Sequence, residues 1–380
     1  MISYCTNVHP AEDLGGILAQ LDRYSVPVRD QYLSRSDSAE GGGGLAGGQY
    51  GEDRLGVGLW LAAPVARGLA EDPSELAKFR AELDARGLGV CTLNAFPYGG
   101  FHDEVVKQAV YHPKWTEPAR LRYTLDCVTV LGGLLADDAA YGSISTLPLA
   151  WREPWTPVDD AAATAALTEL TGVLAQSERP IRLAVEPEPG CVLDTVADAL
   201  GWLSGRVDPA HIGLCLDTCH LAVSFADPVD TLRRIADAGL DVVKVQASAA
   251  LHVADPAAED AQAALAAFAE PRYLHQVREL AEDGTVLASD DLPSASAELP
   301  AHGPWRVHFH MPLHAAPPAP LRSTTDVLTA VFAELAGEPH IEVETYTWSV
   351  LPGGGDDLAG GIAAELRWAR DQLNSRKASS

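Results

Sequence analysis

IRLAVEPEPGCVLDTVADALGWLSGRVDPAHIGLCLDTCH, residues 181–220, holds two short apolar runs with a helix-period segment between them. The runs are 182–187 (RLAVEP) and 212–217 (IGLCLD), and apolar residues recur at helical spacing over about 194–206. Both runs stay apolar almost to their ends, as parallel strands covered on both faces do. Each closes on an acid, Glu186 in the first and Asp217 in the second. A strand, a helix and a second parallel strand form the repeating unit of an α/β fold.

The rhythm continues in both directions. Further strands are expected at 2–6, 57–62, 89–94, 142–147, 241–246 and 340–345, making eight with the two above. Helical patterns cover about 11–23, 116–137, 160–176, 228–238, 259–283 and 357–374. Asp72-Pro73 caps a helix that Gly87 ends, and Ser323-Thr324-Thr325-Asp326 has the form of a capping box before a helix stopped by Gly337. Eight alternations in one composition regime predict a single (β/α)8 TIM-barrel domain over 1–380. A doubly wound open sheet is the alternative with the same rhythm. Two segments interrupt it: a Gly-rich stretch near 38–56, read as a loop, and an excursion near 284–320 that contains WRVHFHMP at 305–312.

The chain has 380 residues, with 27 Lys and Arg against 53 Asp and Glu, a formal charge of −26. Such a surface cannot gain affinity by displacing counterions from phosphates, which argues against DNA or RNA as partners. It equally disfavours an anionic membrane surface. With 47% hydrophobic residues the chain is not disordered. No run approaches the roughly 20 apolar residues that span a bilayer, so no membrane insertion is expected, and the start MISYCTNVHPAEDL has no leader character. The six cysteines form no C-x-x-C pair, in keeping with reduced thiols in a cytoplasm. Nothing in the sequence reports the oligomeric state.

In a parallel barrel the C-terminal strand ends converge on one site. Strand five ends at Glu186-Pro187-Glu188, strand six at Asp217-Thr218-Cys219-His220, strand seven at Lys244-Val245-Gln246 and strand eight at Glu342-Val343-Glu344. Three carboxylates aimed at one point repel unless a cation lies between them. Any one of them can instead cap a helix, Asp217 above all, but Glu186 and Glu344 run into Pro187 and into Thr-Tyr-Thr-Trp rather than into helices. A divalent metal is the economical explanation. Lys244 and Glu342 precede Gln246 and Glu344 by two residues and so face the interior one layer down, where an ion pair is expected. The alternative, a Schiff-base lysine, needs Lys244 unpaired.

Leu216-Asp217-Thr218-Cys219-His220, with a strand-end Glu on either side in the chain, resembles the xylose isomerase-like TIM-barrel superfamily of sugar and cyclitol epimerases, inosose dehydratase and endonuclease IV. YCTNVHP at 4–10 and TLNAFPYGGFH at 92–102 look more narrowly like the EboE metabolite-traffic group. The resemblance implies one divalent ion (Mn, Zn, Fe, Co or Mg) held by Glu186, Asp217, the strand-seven residue and Glu344. Relatives usually place His at that third position, where this chain has Gln246, so either the Gln246 carbonyl binds or His308 or His310 comes in from the excursion. Trp60 and Asn94 stand near where endonuclease IV needs further histidines, leaving its trinuclear cluster incomplete.

By the same resemblance Glu186 and Glu344 shuttle protons at carbon, and His220 acts beside them on substrate, its alternative being a helix-start histidine. Glu188 faces the mouth and either binds a hydroxyl or braces its loop. Asn94, His9, Tyr346, Trp348, His308 and His310 complete the expected substrate contacts. The implied activity is a metal-dependent isomerase or epimerase for a neutral sugar-like or cyclitol-like small molecule. A lyase or hydrolase on the same scaffold and a non-catalytic metabolite carrier are the alternatives. With Gln246 as ligand, the change Gln246→His tightens Zn²⁺ binding in a metal titration; unchanged affinity assigns the position to His310 instead.

Overall fold

The computed structural model describes residues 2–34, 54–354 and 357–379, with side chains up to residue 375. Most of the Gly-rich stretch, and the loop expected there, lies outside these residues. Strands β1 (Ile2–Cys5), β2 (Leu55–Trp60), β3 (Leu88–Asn94), β4 (Gly142–Thr146), β5 (Ile181–Val185), β6 (Ile212–Asp217) and β7 (Val242–Ala247) are followed by five strands of an excursion. These are β8 (Leu251–Val253), β9 (Val277–Leu280), β10 (Val286–Ser289), β11 (Trp305–Val307) and β12 (Arg322–Ser323), after which β13 (His340–Val343) returns to the barrel. The parallel strands close in the order β1-β13-β7-β6-β5-β4-β3-β2, which excludes the open sheet. All eight expected strands are present, with bounds within two residues of those read from the sequence.

Local signals set most of the helices. Asp72 accepts the Ser74 amide at 2.9 Å, and Gly87, at φ 63°, ends the helix Pro73–Ala85 in a conformation that suits glycine. Thr156 with Asp159 and Thr195 with Asp198 form reciprocal capping boxes. The helix Ala63–Glu71, which buries Ala63, Val65, Ala66 and Leu69, was not singled out in the sequence. The string at 323–326 does not cap: Thr324 Oγ1 accepts from the Ala250 amide at 2.8 Å, so a tertiary contact has taken the hydroxyl. Among the described residues no helix is long and apolar enough to cross a membrane.

The excursion is larger than 284–320. It leaves the barrel directly after β7 and builds an antiparallel sheet in the order β10-β9-β11-β8-β12. The helix expected over 259–283 stops at Ala266, and Val277–Leu280 is a strand instead. Its second half belongs to a separate small core, where Val277 packs with Trp305, Phe268 and Phe309. Glu279 holds the turn into β11 by accepting the amides of Ala301, His302 and Gly303 at 2.8, 2.8 and 3.0 Å and the Trp305 indole at 2.8 Å. These four donors hold its carboxyl below the ordinary value although burial opposes it.

Lys244 and Glu342 meet inside the barrel as expected, Nζ to Oε2 at 2.6 Å, with neither side chain exposed. Lys244 also donates to Ser145 Oγ at 3.2 Å. Burial pushes the ammonium down, but Glu342, Cys215 and Cys5 outweigh it, so Lys244 is raised overall. Room for the pair comes from Gly58 on β2, where an added Cβ would lie 1.2 Å from Glu342 Oε1. Removing one partner strands the other charge, so Lys244→Met should cost about 3–5 kcal/mol in denaturant unfolding. The double change Lys244→Met/Glu342→Met should recover most of that loss; a double variant as unstable as the single would show that the pair is not the origin of the cost.

Candidate metal centre and its cavity

Glu186, Asp217 and Glu344 close β5, β6 and β13, and their carboxylate oxygens come within 4.8 Å of one another. All three are buried. Glu344 and Asp217 are held by hydrogen bonds. Glu344 Oε1 accepts from Asn7 Nδ2 at 2.7 Å and from Asn94 Nδ2 at 2.9 Å. Asp217 Oδ1 accepts the His220 amide at 2.8 Å and the Ser248 hydroxyl at 2.9 Å, so Asp217 is a helix cap as well. Asp217 Oδ2 and Glu186 Oε2 have no hydrogen-bond partner although both are buried.

Two further groups share this condition. Gln246, unexposed on β7 and in register with Asp217 and Glu342, satisfies neither its amide oxygen nor its nitrogen. His310 gives its Nδ1 proton to the Glu344 carbonyl at 2.7 Å, which leaves the Nε2 lone pair facing Asp217 Oδ2 at 3.9 Å without a partner. Buried polar groups are normally satisfied, and five orphaned atoms converging on acids are what a missing cation would leave. The oxygen, amide and imidazole donors suit Mn²⁺ or Mg²⁺, with His310 widening the choice to Zn²⁺, Fe²⁺ or Co²⁺.

Beside this centre lies a histidine pair. His220 Nδ1 donates to the Pro187 carbonyl at 2.9 Å and His308 Nδ1 to Gln276 Oε1 at 2.6 Å. Their Nε2 atoms then lie 3.1 Å apart, with the Tyr346 hydroxyl 3.5 Å from that of His308. Glu188 stands next to them and accepts from the Tyr111 hydroxyl at 2.7 Å, while burial raises its carboxyl.

The open cavity above, about 530 Å³ with part of it in contact with solvent, is lined at its floor by Glu186, Glu188, His220, His308, His310 and Glu344. Asn7, Asn94 and Tyr346 also line it, whereas Asp217 and Gln246 are buried and not part of its lining. Two expected contacts are elsewhere. His9 stacks on Tyr24 with ring centroids 4.6 Å apart, its Nε2 3.2 Å from the Tyr4 hydroxyl, and burial lowers it to about 3. Trp348 donates to Glu365 Oε2 at 2.9 Å, outside the cavity lining. Tyr111, Tyr273 and Leu274 line the cavity without having been singled out in the sequence. The segment 273–276 had been read as helix, whereas it is an irregular stretch that leads into β9.

Electrostatics agree with an absent counter-charge. Burial, then Asp217 and Glu342, raises Glu344 to about 8, and burial, then Glu344 and Asp217, raises Glu186 well above its ordinary range. Without a cation the folded protein therefore keeps protons that the unfolded chain releases near 4.5. Stability of the cation-free protein should fall as pH rises from about 4.5 through about 8, by up to about 1.4 kcal/mol per pH unit for each group. Thermal melts in EDTA check this. Excess Mn²⁺ should flatten the fall, and melts in EDTA that do not change with pH would remove the basis for a shared cation.

No curated protein matches the sequence. Solved structures share the fold at low identity. A xylose isomerase-like TIM-barrel protein from Mycobacterium smegmatis in complex with magnesium aligns at TM-score 0.55 and 13% identity, over 99% of this chain and 97% of that one. A putative sugar phosphate isomerase/epimerase from Anabaena variabilis gives 0.52 and 14%, over 99% and 98%. An L-ribulose 3-epimerase gives 0.51 and 12%, over 100% and 96%. Residues 55–268 match the family described as xylose isomerase-like TIM barrel, and the closed barrel with acids at its strand ends accords with that match: the chain belongs to this family.

Proposed function

We propose that the protein is a divalent-metal-dependent isomerase or epimerase that moves a proton at carbon on a sugar-like or cyclitol-like metabolite. The observation that carries this reading is the buried triad Glu186, Asp217 and Glu344, with unpartnered oxygens beside the free His310 Nε2 at the floor of an open cavity. The residues that would hold the ion are Glu186, Asp217, Glu344 and Gln246, with His310 alongside. A bound divalent ion polarises a carbonyl or hydroxyl and keeps the carboxylates ionised.

The chain supplies the remaining parts. Glu186 and Glu344 stand on strands separated by β6 and β7, so they can reach a substrate carbon from two sides. One takes the proton and the other returns one, the division of labour that two carboxyls facing one carbon can perform. The Asn7 and Asn94 amides fix Glu344 and limit its rotation. Glu188 and the His220–His308 pair, at the same floor, bind the substrate's hydroxyl groups and orient the carbon between the two acids. The L-ribulose epimerase and the putative sugar phosphate isomerase/epimerase of the same fold support this class of reaction by analogy.

Incubating metal-loaded protein with a panel of ketoses and inososes in D₂O should introduce one deuterium at carbon in a recovered substrate, read by NMR and mass spectrometry. Glu186→Gln should slow that exchange by about 10²-fold or more. Purified protein with no stoichiometric divalent metal, or loaded protein that never exchanges carbon-bound hydrogen, would favour a carrier or a hydrolytic role.

A further inference from the structure

We infer that the outer half of the cavity is built for an apolar group, so that the substrate joins an oxygen-rich head to an aliphatic or aromatic substituent. The head rests on the metal-centre reading above; the substituent rests on the wall alone.

The cavity changes character with height. Carboxylates and histidines line it at and beside the strand ends, while Phe96, Pro97, Phe101, Val106 and Val110 of the segment after β3 and Leu274 ahead of β9 form an apolar wall, with Lys107, Tyr111, Tyr273 and Tyr346 among them. Several polar groups beside that wall are already committed. The Tyr273 hydroxyl donates to the Phe101 carbonyl at 3.2 Å, and Tyr111 donates to Glu188 at 2.7 Å. The Pro97 carbonyl accepts from the Trp60 indole at 2.9 Å and the Phe96 carbonyl from Arg120 at 3.0 Å. The amides of Val106 and Lys107 both go to the Arg272 carbonyl, at 2.7 and 3.0 Å, and the Lys107 ammonium pairs with Asp291. These bonds also tie the segment after β3 to the excursion, so the wall is a joined surface rather than two loose loops.

A bare sugar would place hydroxyls against this surface, lose their water and find no partner. Each such hydroxyl weakens binding by about tenfold. A buried methylene in the same place strengthens it by about fourfold. An aromatic platform for a sugar face is the competing explanation, but it needs one ring with hydrogen-bonding groups around it. Val106, Val110, Leu274 and Pro97 provide neither stacking nor hydrogen bonds.

Two hydroxamates with the same metal-chelating head test the wall. Acetohydroxamic acid carries a methyl group and phenylacetohydroxamic acid a benzyl group, and both are titrated calorimetrically into the full chain loaded with Mn²⁺. The benzyl compound should bind at least about 30-fold more tightly. In Phe101→Asn and in Val110→Asn, the latter at a half-buried site that tolerates change, the ratio should fall below about fivefold. Equal affinities in the unaltered protein would overturn the inference and leave the metal reading standing. A ratio that persists in both variants would overturn it as well, placing the preference elsewhere. Failure of both hydroxamates to bind would overturn the metal reading and this inference with it.

Discussion

Negative charge is concentrated inside this barrel beyond what the chain itself compensates. Lys244 lies in the interior and is matched by Glu342, 2.6 Å away, whereas Glu186, Asp217 and Glu344 have, among the described residues, only the imidazoles of His220 and His310 at 3.9 Å for basic neighbours of their own. The Lys244 ammonium lowers both Glu186 and Glu344, but its effect is smaller than that of the acids on each other. Burying three carboxylates in one place is tolerable only if protons or a cation share the site. The surrounding structure follows from that constraint. Gly58 gives up a side chain to admit Glu342, Asn7 and Asn94 aim amide donors at Glu344, and Ser248 and a helix start aim donors at Asp217.

The excursion between β7 and β13 extends this arrangement outward. It carries His308 and His310 into the centre, and His310 links two strand ends by donating to the Glu344 carbonyl while its other nitrogen faces Asp217. Gln276, just ahead of β9, orients His308 and reaches the Pro189 carbonyl at 2.9 Å, so one side chain serves the histidine pair and the loop that bears Glu188. A sheet with its own small core gives these side chains a rigid support, which a loop of similar length would lack. The apolar upper wall is assembled from the same excursion and the segment after β3. The polar and the apolar parts of the cavity lining therefore depend on one set of contacts between the excursion and the segment after β3.

The barrel and its acids were legible because their signals are local. A buried parallel strand announces itself by a continuous apolar run, and the acid that ends it stands next in sequence, as at 182–187 and 212–217. The pairing of Lys244 with Glu342 followed from the two-residue period of the strands that carry them. The excursion was not legible in this way. Its strands are three to four residues long apart from a two-residue β12, and they pair across long separations, as Trp305 does with Glu279. Residues 277–280 passed for helix because so short a run carries no decisive period. His9 and Trp348 were placed at the mouth by their distance along the chain, whereas Tyr4 and Tyr24 draw one ring into the packing below and Glu365 draws the other aside.

The sequence by itself determined the barrel, the three strand-end carboxylates and the buried ion pair, since each depends on a residue's position within one strand and on the fixed geometry of a parallel closed sheet. Only the tertiary structure decided which of the remaining polar side chains meet them. Gln246 without a partner, His310 with its free nitrogen, and the apolar ceiling above depend on contacts between segments far apart in the chain. Such contacts form where packing and hydrogen bonding across the whole molecule are best satisfied together, a balance that no single stretch of residues records.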